Sequence, residues 1–143
     1  MKTTFKCGFA LVLTCLALAV PAARADEWAR FNGKWTTKKT NEDGRTYTQV
    51  IEIDKGKFKF RLLSSSGDLR LYAEGDVKLE KHGPFNALKF HNIKGGESPD
   101  YLDPVDDDRV VIYQLGSNTL TIAENFDRER DAAPSADKYT KSK

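Results

Sequence analysis

Alternation of apolar and polar side chains is the strongest pattern in this 143-residue chain. Between Leu69 and Glu80, apolar or small residues occupy every second position, and charged residues or tyrosine occupy the positions between them. Between Lys57 and Leu62, Phe58 and Phe60 alternate with basic residues in the same way. A two-residue period places one face of a strand against a core and the other face in water. Both segments are therefore predicted to be strands of a sheet that is buried on one face.

Weaker alternation continues through most of the chain after residue 32. It predicts further strands at Trp35–Lys39, Thr46–Asp54, Ala87–Ile93, Arg109–Leu115 and Thr119–Glu124. Turn sequences rich in Gly, Asn and Asp separate the strands, for example at Asn41–Gly44 and Gly116–Asn118, because these residues adopt a positive φ at little cost. No segment after residue 25 has a helical period.

Short connections between successive strands favour antiparallel, up-and-down pairing, and closing such a sheet removes its exposed edges. We therefore predict an all-β fold, a small antiparallel up-and-down β-barrel, with a β-sandwich of the same strands as the alternative. Two segments depart from the pattern. Gly95–Asp108 is predicted to be a long polar loop, and Asp127–Lys143 a charged tail with one short closing strand near Lys138–Lys141.

The first 25 residues have the three parts of a secretory signal. Lys2 and Lys6 precede the apolar run Gly8–Val20, which is followed by the small-residue site Ala23-Arg24-Ala25. The apolar run is shorter than the roughly 20 residues needed to span a bilayer. We predict cleavage after Ala25 and a periplasmic or secreted protein with no membrane span. The predicted organisation is a signal over 1–25, a barrel over 26–126 and a tail over 127–143.

Removal of the signal changes the chemistry available to the protein. Both cysteines, Cys7 and Cys15, lie in the signal, so the exported chain would have no thiol for disulfides or catalysis. The whole chain has 23 Lys and Arg against 21 Asp and Glu. Loss of Lys2, Lys6 and Arg24 would bring the net charge to about −1. Without a basic excess, we predict no nucleic-acid partner.

Three short motifs carry a resemblance to a known family. They are Gly33-x-Trp35 near the start of the exported chain, the segment Val111–Leu115 followed by a turn and Asn118–Ile122, and the arginine-bearing stretch Arg128–Arg130. Together they resemble the small lipocalin-like domains of exported bacterial proteins, particularly an uncharacterised family abundant in planctomycetes. The similarity covers nearly the whole exported chain.

The resemblance implies how one end of the barrel closes. Gly33 and Trp35 would form the floor, because a glycine lets the chain approach a buried indole. In lipocalins a late basic side chain packs over the indole of the first strand. Arg128 or Arg130 is the residue expected to take that position, through a cation–π contact.

No catalytic or metal-binding constellation is found in the sequence. There is no Gly-x-Ser-x-Gly motif for a serine nucleophile. His82 and His91 lack the spacing of zinc ligands, and the acidic run from Asp100 to Asp108 does not match a calcium-binding loop. We therefore predict that the protein is not an enzyme and binds no metal or cofactor.

Two functions remain open. The first is a binding protein that holds a small apolar or amphipathic molecule at the open end of the barrel, where Ala73 and Gly75 would leave room. The predicted lining residues are Phe58, Phe60, Leu71, Ala73, Leu88, Phe90 and Tyr113. The second is a structural or interaction protein, for example an inhibitor, whose barrel is solid inside and whose loops bind another exported protein.

Overall fold

A computed structural model of the protein describes residues 22–142, which comprise one helix and nine strands. The elements are α1 (Ala22–Phe31), β1 (Gly33–Thr40), β2 (Thr46–Asp54), β3 (Lys57–Ser64), β4 (Leu69–His82), β5 (Phe85–Ser98), β6 (Tyr101–Pro104), β7 (Arg109–Leu115), β8 (Thr119–Glu124) and β9 (Ser135–Lys141). Over this range, no helix has the length and hydropathy needed to cross a membrane. Most of the predicted signal, including Cys7 and Cys15, lies outside the described residues.

Eight strands form a closed antiparallel barrel. Consecutive strands pair with one another from β1 to β5, and the ring continues through β7, β8 and β9. Pairing of Trp35 with Lys141 and of Thr36 with Thr140 joins β1 to β9 and closes the ring. The one described strand outside this ring, β6, pairs only with β5. The predicted up-and-down barrel is confirmed, and the β-sandwich alternative is wrong.

The prediction that Gly95–Asp108 forms a long polar loop is partly wrong. β5 continues to Ser98, and β6 pairs back onto it with Gly95 opposite Asp103 and Lys94 opposite Pro104. The pairing depends on backbone hydrogen bonds rather than on an apolar face, so alternation of side chains does not reveal it. Pro104 is tolerated because it ends a strand at the edge of the sheet.

A bulge between β4 and β5 accounts for the glycine at position 75. The register shifts between Glu74 and Asp76, and Asn92 of β5 adopts a φ of 51°. A Cβ at Gly75 would lie 2.8 Å from the carbonyl oxygen of His91 and 2.9 Å from that of Asn92. Gly75 therefore permits the close approach of the bulged backbone. The prediction that Gly75 leaves room inside the barrel is wrong, because β5 fills that space.

Helix α1 covers one end of the barrel, which we call the closed end. Phe31 and Trp35 are fully buried there, and the Phe31 ring packs edge-on against Tyr113 with 4.8 Å between centroids. The indole Nε1 of Trp35 donates a hydrogen bond to the Phe31 carbonyl oxygen at 2.7 Å. The helix has too few turns after residue 25 to show a period in the sequence, and packing against the barrel stabilises it.

The indole of Trp35 is covered by Lys141 and not by Arg128 or Arg130. Its Nζ lies 5.1 Å from the centroid of the Trp35 ring and donates a hydrogen bond to the Arg30 carbonyl oxygen near the end of α1, at 3.0 Å. Gly33 has a φ of 132°, and a Cβ there would lie 2.7 Å from Cε of Lys141. The prediction for Arg128 and Arg130 is wrong because the chain continues past both arginines into β9, which brings a later cation, Lys141, beside β1.

Candidate ligand-binding cavity

The opposite end of the barrel, which we call the open end, contains a cavity of about 590 Å³. Its lining comprises Gln49, Ile51, Phe58, Phe60, Leu71, Tyr72, Ala73, Phe90, Ile93, Gly95, Gly96, Val105, Arg109, Val111, Ile122, Glu124 and Tyr139. An eight-stranded barrel is just wide enough either to be filled by its own side chains or to hold one small ligand. In this chain the closed end is filled and the open end is not.

One wall of the cavity is apolar and comes mainly from β3, β4 and β5. Phe58 and Phe90 pack edge-on with 4.8 Å between ring centroids, and Phe60 lies opposite Ala73 in the register of β3 and β4. The small side chain of Ala73 leaves space where a larger residue would reach the middle of the barrel. Leu71 is 43% exposed. This wall offers a hydrophobic surface that the protein itself does not cover.

The other wall carries polar groups from β2, β7, β8 and β9. The Tyr139 hydroxyl donates a hydrogen bond to Oε1 of Gln49 at 2.7 Å. Burial raises the pKa of Tyr139, and the nearby charges of Glu124 and Asp137 raise it further. This tyrosine therefore remains a neutral hydrogen-bonding group in the wall of the cavity. Glu124 and Arg109 also line this wall, and Tyr72 of β4, whose hydroxyl donates to Glu74, is a further polar residue of the lining.

An ion pair between β1 and β9 stands beside this polar wall. Nζ of Lys39 donates to a carboxylate oxygen of Asp137, and both side chains are largely shielded from solvent. Burial opposes the charge on Lys39, but the hydrogen bond and the negative charge of Asp137 outweigh that effect and raise the lysine pKa. Each charge of the pair is thus compensated by the other.

Arginine–aspartate pairs join two loops near the cavity. Arg130 contacts Asp107 at 2.9 Å and Asp127 at 2.7 Å, and Arg128 and Arg109 also pair with Asp107. The Arg130 hydrogen bonds lower the pKa of Asp127 to about 2. We call these five residues the arginine–aspartate cluster. It connects the segment before β7 with the segment between β8 and β9, which gives one residue of the acidic run, Asp107, a structural role.

The structure brings five of the seven predicted lining residues together around the cavity: Phe58, Phe60, Leu71, Ala73 and Phe90. Leu88 and Tyr113 do not line it, because both belong to the packed closed end. The Tyr113 hydroxyl donates to the Glu27 carboxylate of α1. The inward parity was right for both residues, but their position along the barrel axis was not.

Sequence reasoning missed five polar lining residues: Gln49, Tyr72, Arg109, Glu124 and Tyr139. A signal was present in β8, where Leu120, Ile122 and Glu124 share one parity, so that a carboxylate follows two buried apolar residues. A search for lining residues that considers only apolar positions does not find an inward-facing polar residue such as Glu124. An inward-facing charge at the end of a strand marks the place where the core gives way to a cavity.

Comparison with protein-family models, curated proteins and solved structures found no match to this chain. The resemblance to exported lipocalin-like domains stays a prediction, and the barrel itself is consistent with it. In the part of the chain that the structure describes, no group of three or more His, Cys, Asp or Glu is arranged to hold a metal ion. Asp107 and Asp108 of the acidic run form salt bridges with basic side chains.

Proposed function

We propose that this protein binds a small apolar or amphipathic molecule in the cavity at the open end. The observation that carries the proposal is a cavity of about 590 Å³ with a continuous apolar wall. Sites for small molecules generally occupy about 300–1,000 Å³ and combine apolar lining with a few polar groups. The proposed role is carriage or sequestration without turnover, in the periplasm or outside the cell.

The contrast with the closed end supports this function over a solid interior. Phe31, Trp35, Leu88 and Leu120 are fully buried, so the chain can pack the inside of its barrel where it needs to. At the open end, apolar side chains of β3, β4 and β5 face the cavity without a covering residue. Removing that surface from water stabilises a complex by roughly 25 cal/mol per Å² before the costs of association.

A fluorescent apolar probe tests the proposal directly. N-phenyl-1-naphthylamine should bind saturably with increased emission, and fatty acids, isoprenoids or alkyl amines that share the site should displace it. An Ala73→Phe variant should lose the binding because the added ring occupies the cavity. Lys78→Phe is the matched control, since it adds the same ring to β4 at an exposed position.

The two variants separate a cavity from a general apolar surface. Saturable binding by the parent and by Lys78→Phe, but not by a folded Ala73→Phe, supports the proposal. If Ala73→Phe does not fold, Ala73→Leu reduces the same space more gently. No binding by the parent, with a melting temperature that no ligand raises, would favour the alternative of an interaction protein that uses its loops.

A further inference from the structure

We infer that the ligand is an amphipathic cation, an amine with an apolar body, and that Glu124 is its counter-ion. This inference rests on the function proposed above and specifies its ligand class. It depends on where charges lie in the polar wall and on which of them already have partners.

Glu124 is the last residue of β8 and faces into the barrel. It lies opposite Ser135 of β9 and shares its parity with the buried Ile122. The only hydrogen bond to its carboxylate from any described residue is from the Ser135 hydroxyl, at 3.4 Å. Among residues 26–142, no Lys, Arg or His lies within salt-bridge distance of it. A half-buried carboxylate therefore borders the cavity without a salt bridge, although its charge contributes to the raised pKa of Lys39.

The cations near Glu124 are already engaged. Lys39 donates to Asp137, and Arg109 pairs with Asp107 at 3.2 Å. The Arg109 side chain is also half exposed, so water screens its charge more than that of a group inside the barrel. Lys39, Asp137 and Glu124 together carry one net negative charge, whereas the arginine–aspartate cluster, with three arginines and two aspartates, carries one net positive charge. The two sites differ in their surroundings, because Arg109 has a carboxylate partner and a half-exposed side chain, while Glu124 faces the cavity without a salt bridge to any described residue. We therefore expect a positive group to bind at Glu124 in preference to a carboxylate or phosphate at Arg109.

The surroundings of Glu124 strengthen such a contact. Burial is the main cause that raises the pKa of Tyr139, and the nearby negative charges of Glu124 and Asp137 raise it further. An ammonium placed there would gain a charge-assisted hydrogen bond. The aromatic rings of Phe58 and Phe90 line the same cavity and can attract a cation or pack against the apolar body.

Three ligands with the same chain length test the inference: octylamine, octanoate and octanol. Each is titrated against bound N-phenyl-1-naphthylamine at one pH near 7 and one salt concentration. We expect the parent to bind octylamine at least tenfold more tightly than octanoate. Glu124→Gln should weaken octylamine at least tenfold while leaving octanol unchanged. Glu129→Gln, which removes a carboxylate from an exposed loop position, should behave like the parent.

The outcomes separate this inference from the proposed function. If the probe and octanol bind but octylamine is no tighter than octanoate, or if Glu124→Gln leaves the amine affinity unchanged, the inference is wrong and the proposed function stands. If octanoate is the tightest ligand and Arg109→Gln weakens it, the cavity selects anions instead. If neither the probe nor any of the three ligands binds, the proposed function itself fails.

Discussion

The closed and open ends of the barrel are built from the same strands but treat their inward-facing residues differently. At the closed end, Trp35 is fully buried, its Nε1 is hydrogen-bonded, and Lys141 covers its ring. At the open end, Phe60 and Ala73 border an empty volume, and the polar group Glu124 faces inward. The difference indicates that close packing is concentrated at one end and free volume at the other, where we propose that a ligand binds.

This division has a simple physical basis. A buried side chain contributes to stability through contacts on all sides, whereas a side chain that borders a cavity lacks contacts on one side. Substitutions at the closed end should therefore lower the free energy of unfolding, and substitutions at the open end should change what the protein binds. The following four predictions test that contrast, from the largest expected effect to the smallest.

Replacement of Trp35 by Ala should lower the free energy of unfolding by about 3–5 kcal/mol, because it removes a fully buried aromatic ring. Phe60→Ala at the open end should cost less than half as much, since the Phe60 ring borders the cavity. Denaturant unfolding followed by circular dichroism measures both changes, with Trp35→Phe available if Trp35→Ala does not fold. Equal costs for Trp35→Ala and Phe60→Ala would contradict the division between the ends.

Gly33→Ala should destabilise the protein by about 1–3 kcal/mol, because the backbone has a strained φ for other residues. Lys141→Ala should cost about 0.5–1 kcal/mol through loss of the cation–π contact. In the double variant the two costs should not add, since the added Cβ no longer meets the Lys141 side chain. If the double variant loses the sum of the two single-variant costs in unfolding free energy, a Cβ at position 33 does not contact the Lys141 side chain.

Stability should fall as the pH is lowered from about 4 to about 2, through the arginine–aspartate cluster. The folded-state pKa of Asp127 is depressed from 3.8 to about 2, so the unfolded chain takes up this proton first. The contribution is fully present above pH 4 and lost as the pH falls through the folded-state value, at a cost of up to about 2 kcal/mol.

An Asp127→Asn variant checks the origin of that acid sensitivity. It should be less stable than the parent at neutral pH and should show a shallower loss of stability between pH 4 and pH 2. Asp131→Asn, at an exposed position in the same connection, is the matched control and should keep the parent slope. An unchanged slope in Asp127→Asn would place the acid-sensitive group elsewhere.

The smallest effect should come from removal of disulfides or metal ions. The chain has only Cys7 and Cys15, both in the predicted signal, and the acidic run lacks the spacing of a calcium-binding loop. Melting temperatures of the exported form should therefore be the same with and without a reducing agent and a chelator. A fall of several degrees with chelator would direct attention back to Asp100–Asp108.

Local alternation predicted the strands well because the two-residue period depends only on neighbouring side chains. Three strands begin and end at the residues that the sequence indicated: β2 (Thr46–Asp54), β7 (Arg109–Leu115) and β8 (Thr119–Glu124). β6 and the bulge at Gly75 were not predictable in this way, because both depend on how separate segments of the chain hydrogen-bond to each other. The same limitation applies to α1, whose few turns gain their stability from burial of Phe31.

The sequence by itself determined the all-β class, the inward parity of most apolar residues, and the place of Trp35 in the core. Each of these follows from local spacing and from the hydrophobic effect. Only the tertiary structure decided that Lys141 covers the indole, that Leu88 and Tyr113 lie at the closed end, and that Glu124 borders the cavity. Those outcomes depend on strand register and bulges, which set the position of each side chain along the barrel axis.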